Sequence, residues 1–314
     1  MCRARSRNWL KLDSSIQTTG SFSDALCKQI RQGGKSTGGL ASGAIPRSLP
    51  AMQPDPFVHE EQPATPAATL VIFRHDPAGG PPQLLMVERS SAMRFAGGAA
   101  VFPGGRVDPA DRDLAEALGA EGEEAVEETA ARIAAVRETL EETGLAVGLV
   151  ERPNLEQALA ARELLLAEGT LAPVLAAMSW SLDLAALVPF ARWRPRHREI
   201  RVFDTRFYLA DLGTGAVDLL VDETENTHLF WASAAEALSL ADSGDIKIIF
   251  PTRRNLERLA LFASFAEASA HAAEVPVQMI SPWMEERDGV RWLRIPEDAG
   301  YPVHGEPMTS VMRG

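Results

Sequence analysis

The stretch that most constrains the chain is Val136–Leu145, Val-Arg-Glu-Thr-Leu-Glu-Glu-Thr-Gly-Leu. Its carboxylates Glu138, Glu141 and Glu142 stand at relative positions 0, 3 and 4. On an α-helix those positions share one face. Like charges so spaced repel by roughly a few tenths of a kcal/mol per pair. A chain that keeps three of them beside Arg137, ahead of a glycine that can cap the helix, is organised to present them to a cation. The apolar residues Val126, Ile133, Val136 and Leu140 recur at helical spacing and predict a helix from near Glu123 to Thr143, with Gly144 as its cap. The fold must bury that face while leaving the acidic one reachable. Upstream, Phe102-Pro103-Gly104-Gly105 predicts a tight turn.

Around this helix the pattern alternates between strand and helix periods. Ala67–Arg74 and Gln83–Glu88 are short, apolar and rich in branched residues, so they predict a hairpin of buried strands. Ala100–Phe102, Val188–Arg194, Arg201–Ala210, Val217–Val221 and His228–Trp231 predict further strands. Helices are expected from Asp111, over Asn154–Glu168 and Leu171–Met178, over Ser233–Leu240 with a capping box of Ser233 and Glu236, and as one long helix over Thr252–Ala270. The expected class is α/β: a mixed sheet between helices, with helical insertions. Residues 1–66, basic and closing in a Pro-rich run, are expected to be a disordered tail. They also admit reading as a transit peptide or as residues upstream of a true start at Met52. A domain over residues 67–270 and a C-terminal extension over 271–314 complete the division.

Charge narrows the partners. Residues 1–51 carry eight Lys or Arg against Asp13 and Asp24, which leaves the rest at −18 of a total −12. Nucleic-acid binding needs many phosphate-neutralising cations, so an acidic body argues against it. A phosphorylated small molecule stays possible, because a divalent metal can bridge acidic protein to acidic substrate. Cys2 and Cys27 are the only cysteines. The body can therefore form no disulfide, which suits a reducing compartment such as the cytoplasm, with organellar targeting by residues 1–51 left open. No apolar run approaches the length of a membrane span.

Arg137-Glu138-x-x-Glu141-Glu142-x-Gly144-Leu145 resembles the second half of the Nudix box, and Gly105 followed by Asp111 resembles the first, with Asp in place of the usual Glu. Twenty-five residues, Arg112–Val136, separate the halves where the family has seven, so an insertion at about 112–136 splits the box. With Phe-Pro-Gly-Gly-Arg-Val-Asp-Pro-Ala-Asp ahead of it, and with Arg201–Ala210 and Pro251–Leu256, the chain is similar to the split-box branch of coenzyme A diphosphatases. The resemblance implies an α/β/α sandwich of Nudix type. It implies Mg2+ or Mn2+ on Glu141, Glu142 and the Gly105 carbonyl, with Glu138 a further ligand or the base that activates water, Arg137 holding the glutamates, and a nucleotide as substrate. Coenzyme A or an acyl-coenzyme A would give 3',5'-ADP and a phosphopantetheine. NADH or ADP-ribose is the alternative among substrates. A non-catalytic ligand sensor is the alternative in kind, though it would predict a damaged box.

The other constellations are open to a bland reading. Arg94 of Arg94-x-x-x-Gly98-x-x-x-Phe102 either meets substrate phosphate or is a loop arginine. Arg192–Arg201 holds five arginines and His197; Arg192 and Arg201 either form a phosphate-binding rim or pair with the surplus acids. Glu225, with Glu223 as alternate, is the candidate for an additional catalytic carboxylate from a distal loop. Glu121, Glu123, Glu124, Glu127 and Glu128 of the insertion are expected to be a solvated face. The remaining histidines have no ligand spacing.

Overall fold

A computed structural model describes residues 64–75, 79–89, 96–195, 202–214 and 226–311. The chain divides into Met1–Pro56, all outside those residues, and Phe57–Gly314, to which everything below belongs. The strand that organises this unit is β1 (Thr65–His75). Successive residues point to opposite faces of a strand. Ala68, Leu70 and Ile72 enter one core cluster and Val71 and Phe73 the other, all buried. A strand apolar on both faces belongs in the middle of a sheet covered on both sides. Its parallel neighbour is β6 (Phe203–Thr214), in register from Thr65↔Phe203. β1 thus includes the last two residues of the expected 1–66 tail.

The sheet runs β3 (Ala100–Val101), β2 (Gln83–Arg89), β1, β6, β5 (Val188–Trp193), β8 (Met279–Ile280). β4 (Gly104–Arg106) lies on β1 and β7 (Asn226–Ala232) on β2. With parallel and antiparallel pairs, it is the expected mixed sheet. The β1–β2 hairpin closes only through Phe73↔Leu84 and Arg74↔Gln83; further along, β4 takes the place beside β1.

One face carries α1 (Pro109–Ala117), α2 (Glu123–Thr143), α3 (Leu155–Glu168) and α4 (Leu171–Met178), whose apolar sides join the cluster of Ala68, Leu70 and Ile72. The bounds of α2 are those the periodicity predicts. Its cap, Gly144, is left-handed at φ 73° and returns its N–H to Leu140. The other face carries α5 (Ala234–Ser243), α6 (Phe250–Leu259) and α7 (Phe265–Glu274). The single helix expected over Thr252–Ala270 is therefore two. Ser264 caps α7 by accepting from the Glu267 N–H, while Glu267 accepts from the Ala263 N–H. That local competition breaks the helix. Residues 217–221, expected as a strand, lie outside the described residues.

Beyond α7, β9 (Trp283–Arg287), β10 (Val290–Arg294) and β11 (Gly305–Pro307) form a small antiparallel sheet, followed by α8 (Met308–Val311). This segment returns Tyr301 to the core. Its hydroxyl accepts from Trp193 Nε1 at 3.0 Å and donates to Asn255 Oδ1 at 2.7 Å.

Candidate metal and catalytic site

The two halves of the box meet through one buried ion pair. Arg137 donates from Nε and Nη2 to the two oxygens of Asp111, both at 3.0 Å. The side chains are 5% and 2% exposed. Nη2 also donates to the Arg106 carbonyl at 2.9 Å, and Nη1 to Glu138 at 3.0 Å. One guanidinium therefore fastens β4, the start of α1 and the acidic face of α2. Burial works to lower the Arg137 pKa, but Asp111 and Glu138 hold it above its ordinary value. Asp111 also accepts from the Asp108 N–H as half of a capping box for α1.

The insertion is accommodated away from this junction. It supplies most of α1 and the first two thirds of α2, and none of residues 109–136 lines the cavity described below. Two of the five glutamates expected to be a solvated face, Glu127 and Glu128, depart from it. Glu127 accepts a two-point bond from Arg112, at 2.6 and 3.2 Å. Glu128 accepts from the Tyr208 hydroxyl at 3.0 Å and pairs with Arg132 and Arg206. These contacts tie α2 to α1 and to β6.

Glu138, Glu141 and Glu142 border a cavity of about 610 Å³ with Gly104, Gly105 and Asp108. Glu141 stands 3.6 Å from Arg137 Nη1, and Glu142 accepts from the Gly104 N–H at 3.0 Å. The glycines are needed for space. A Cβ on Gly104 would strike the Ala68 carbonyl and Thr69, and one on Gly105 would occupy the Glu138 carboxylate. Burial pushes Glu138 up to about 7, Arg137 draws it down, and Glu141 pushes it further up. This cluster of oxygen donors suits a hard divalent cation. Among the described residues no three His, Cys, Asp or Glu side chains form a ready-made cage, because the carboxylates lean on Arg137 and on the Gly104 N–H. Mg2+ is commonly held by one or two carboxylates with substrate phosphate oxygens completing the shell, and an open rim of acids fits that mode.

The remaining expected residues fare differently. Arg94, Arg201 and Glu225 lie outside the described residues. Arg192 does not line the cavity; it is engaged in a bidentate pair with Asp204 at 2.8 and 2.7 Å. Its neighbours Trp193 and Pro195 line it instead. The sequence reading missed Asp108, the odd-numbered face of β6 (Phe203, Thr205, Phe207) and Leu166 of α3. Alternation along β6 was a usable signal for one face. Nothing local says which face meets a cavity.

No family model matches the sequence. Among solved structures, the NUDIX hydrolase from Alicyclobacillus acidocaldarius is 26% identical, with a TM-score of 0.53, over 67% of this chain and 97% of that one. The MutT protein from Methanosarcina mazei Go1 is 17% identical, with a TM-score of 0.34, over 64% and 96%. A mutT/nudix family protein from Listeria innocua is 19% identical, with a TM-score of 0.34, over 64% and 93%. The mixed sheet between helices, the box rejoined through Asp111 and Arg137, and the likeness to the Alicyclobacillus enzyme together give this chain the fold of the Nudix hydrolases and support reading it as one of them.

Proposed function

We propose that the protein hydrolyses the diphosphate linkage of a nucleoside diphosphate derivative with Mg2+ or Mn2+, and that its substrate is coenzyme A or an acyl-coenzyme A. The observation that carries the reaction is the set Glu138, Glu141 and Glu142, turned from one helix onto Gly104 and Gly105 of β4 at the cavity wall. Glu141, Glu142 and Glu138, with the backbone of Gly105, are the groups to hold the cation. A bound divalent ion would polarise phosphoryl oxygens and acidify water. Glu138, beside the cation and within reach of its bound water, is the carboxylate to take the proton of the attacking water. Water adds to phosphorus, the bridging P–O bond breaks, and two phosphate-ended products leave. Arg137 has its donors committed to Asp111, Arg106 and Glu138, so its part is to hold the glutamates. The choice of coenzyme A rests on the resemblance to the split-box branch, and Arg94, Arg201 and Glu225 keep their proposed parts in substrate binding and base catalysis.

The test is a product-identified screen of coenzyme A, acyl-coenzyme A, NADH and ADP-ribose with Mg2+ and Mn2+. The expected result is 3',5'-ADP from the coenzyme A compounds, abolished in Glu141→Gln. Efficient cleavage of ADP-ribose with coenzyme A untouched would overturn the substrate. Metal-dependent turnover that survives Glu141→Gln would overturn the site.

A further inference from the structure

Among the described residues, the cavity presents two apolar walls of different chemistry beside its charged one. One comes from the sheet and α6 and presents Phe203, Phe207, Pro195 and Pro251. Phe207 belongs to the core on the α6 face. The other comes from α3, which belongs to the opposite core, and presents Leu165, Leu166 and Gly169. The helix is held beside the acidic face of α2 by a direct bond: Arg162 Nε donates to the Glu141 carbonyl at 2.8 Å. None of the charged neighbours Arg162, Glu163 and Glu168 lines the cavity. Leu165 is a core residue, but Leu166 is 51% exposed. Isolated exposed leucines are ordinary on protein surfaces. Leu118, Val150, Leu155 and Leu261 are of that kind; none lines this cavity. Leu166 differs in facing the same cavity as the three glutamates, just before α3 ends at Gly169.

An uncharged aliphatic wall offers nothing to a phosphate or a sugar hydroxyl, whereas it gains free energy with every methylene it covers. The aromatic wall offers a flat surface for a base. We propose that α3 forms an aliphatic-chain subsite beside the diphosphate site, with Leu166 its specificity-determining side chain. The non-nucleoside half of the substrate is then an extended chain bearing hydrocarbon, and not a second sugar or nucleoside. This rests on the diphosphatase reading above and adds the element that chooses among its substrates.

The experiment uses the full chain and ADP esters whose β-phosphate carries methyl, butyl or octyl. Each is paired with a methylene-bridged counterpart that binds without cleavage. With Mg2+, kcat/KM and calorimetric affinity are both expected to rise with chain length, by roughly 2- to 4-fold per methylene along the lip, mostly through KM. Leu166→Met should keep that dependence and Leu166→Asp should flatten it. Leu166 is half exposed, so neither change empties the core, and thermal unfolding of both variants checks this. Equal values for methyl and octyl esters would overturn the subsite even if every ester is cleaved. A chain-length dependence that survives Leu166→Asp would overturn its assignment to α3. Affinity that rises with chain length without any cleavage would leave the subsite standing and overturn the diphosphatase reading alone.

Discussion

Asp111→Asn tests whether one buried pair rejoins the split box. The substitution keeps the size of the side chain, removes its charge and leaves Arg137 in place. Breaking a buried ion pair by removing one partner costs about 3–5 kcal/mol, because the other charge stays desolvated. Here Asp108 at 3.6 Å, Glu138 at 3.0 Å and Glu141 at 3.6 Å still face the guanidinium, so the lower end applies, about 3 kcal/mol. For a unit of this size each kcal/mol moves Tm by about 2–4 °C, which predicts a fall of roughly 6–12 °C. Circular dichroism melts of the metal-free protein at low and at molar salt would measure it. A pair this buried is weakly screened, so salt should not erase the difference. Combining Asp111→Leu with Arg137→Met should cost less than the sum of the single changes. A fall below about 2 °C, or one that vanishes in salt, would refute the claim that this pair holds the halves together.

Other outcomes follow from the same contacts. Gly105→Ala places a methyl where the Glu138 carboxylate stands, so Mn2+ affinity should drop at least about tenfold; unchanged calorimetric binding would contradict the geometry. Glu138 is raised from 4.5 to about 7, so its contribution to stability is full below its unfolded pKa and lost as pH rises through about 7. The metal-free protein should therefore lose on the order of 2–3 kcal/mol between about pH 5 and pH 8, and Glu138→Gln should remove that loss; urea titrations at the two pH values that show no difference in the parent chain would sink the assignment. Tyr301→Phe strands the Trp193 N–H and the Asn255 oxygen, at a cost of about 2–4 kcal/mol, read as a lower urea midpoint with unchanged slope.

The elements legible in the sequence are those whose signals are local. The bounds of α2 follow from apolar spacing and one glycine, and α4 likewise runs over Leu171–Met178 as its pattern predicts. The capping box of Ser233 and Glu236 forms as its spacing requires. The break between α6 and α7 was present in the sequence as Ser264 with Glu267, yet the apolar periodicity ran across it. Arg192 shows the opposite case. Its type suits a phosphate, but the β5–β6 register sets it across from Arg206, and Asp204 two residues away takes both arms of its fork.

By itself the sequence determined the acidic helix face, the Gly-Gly turn before it and the family to which they point, because these depend on residue types a few positions apart. Only the tertiary structure decided that Asp111 and Arg137, 26 residues apart, form one buried pair. It also decided that the insertion holds to β6 through Glu128 and stays clear of the cavity, and that α3 stands beside the glutamates with Leu166 at the lip. Those outcomes depend on strand register and helix packing, which bring together side chains that no local spacing relates.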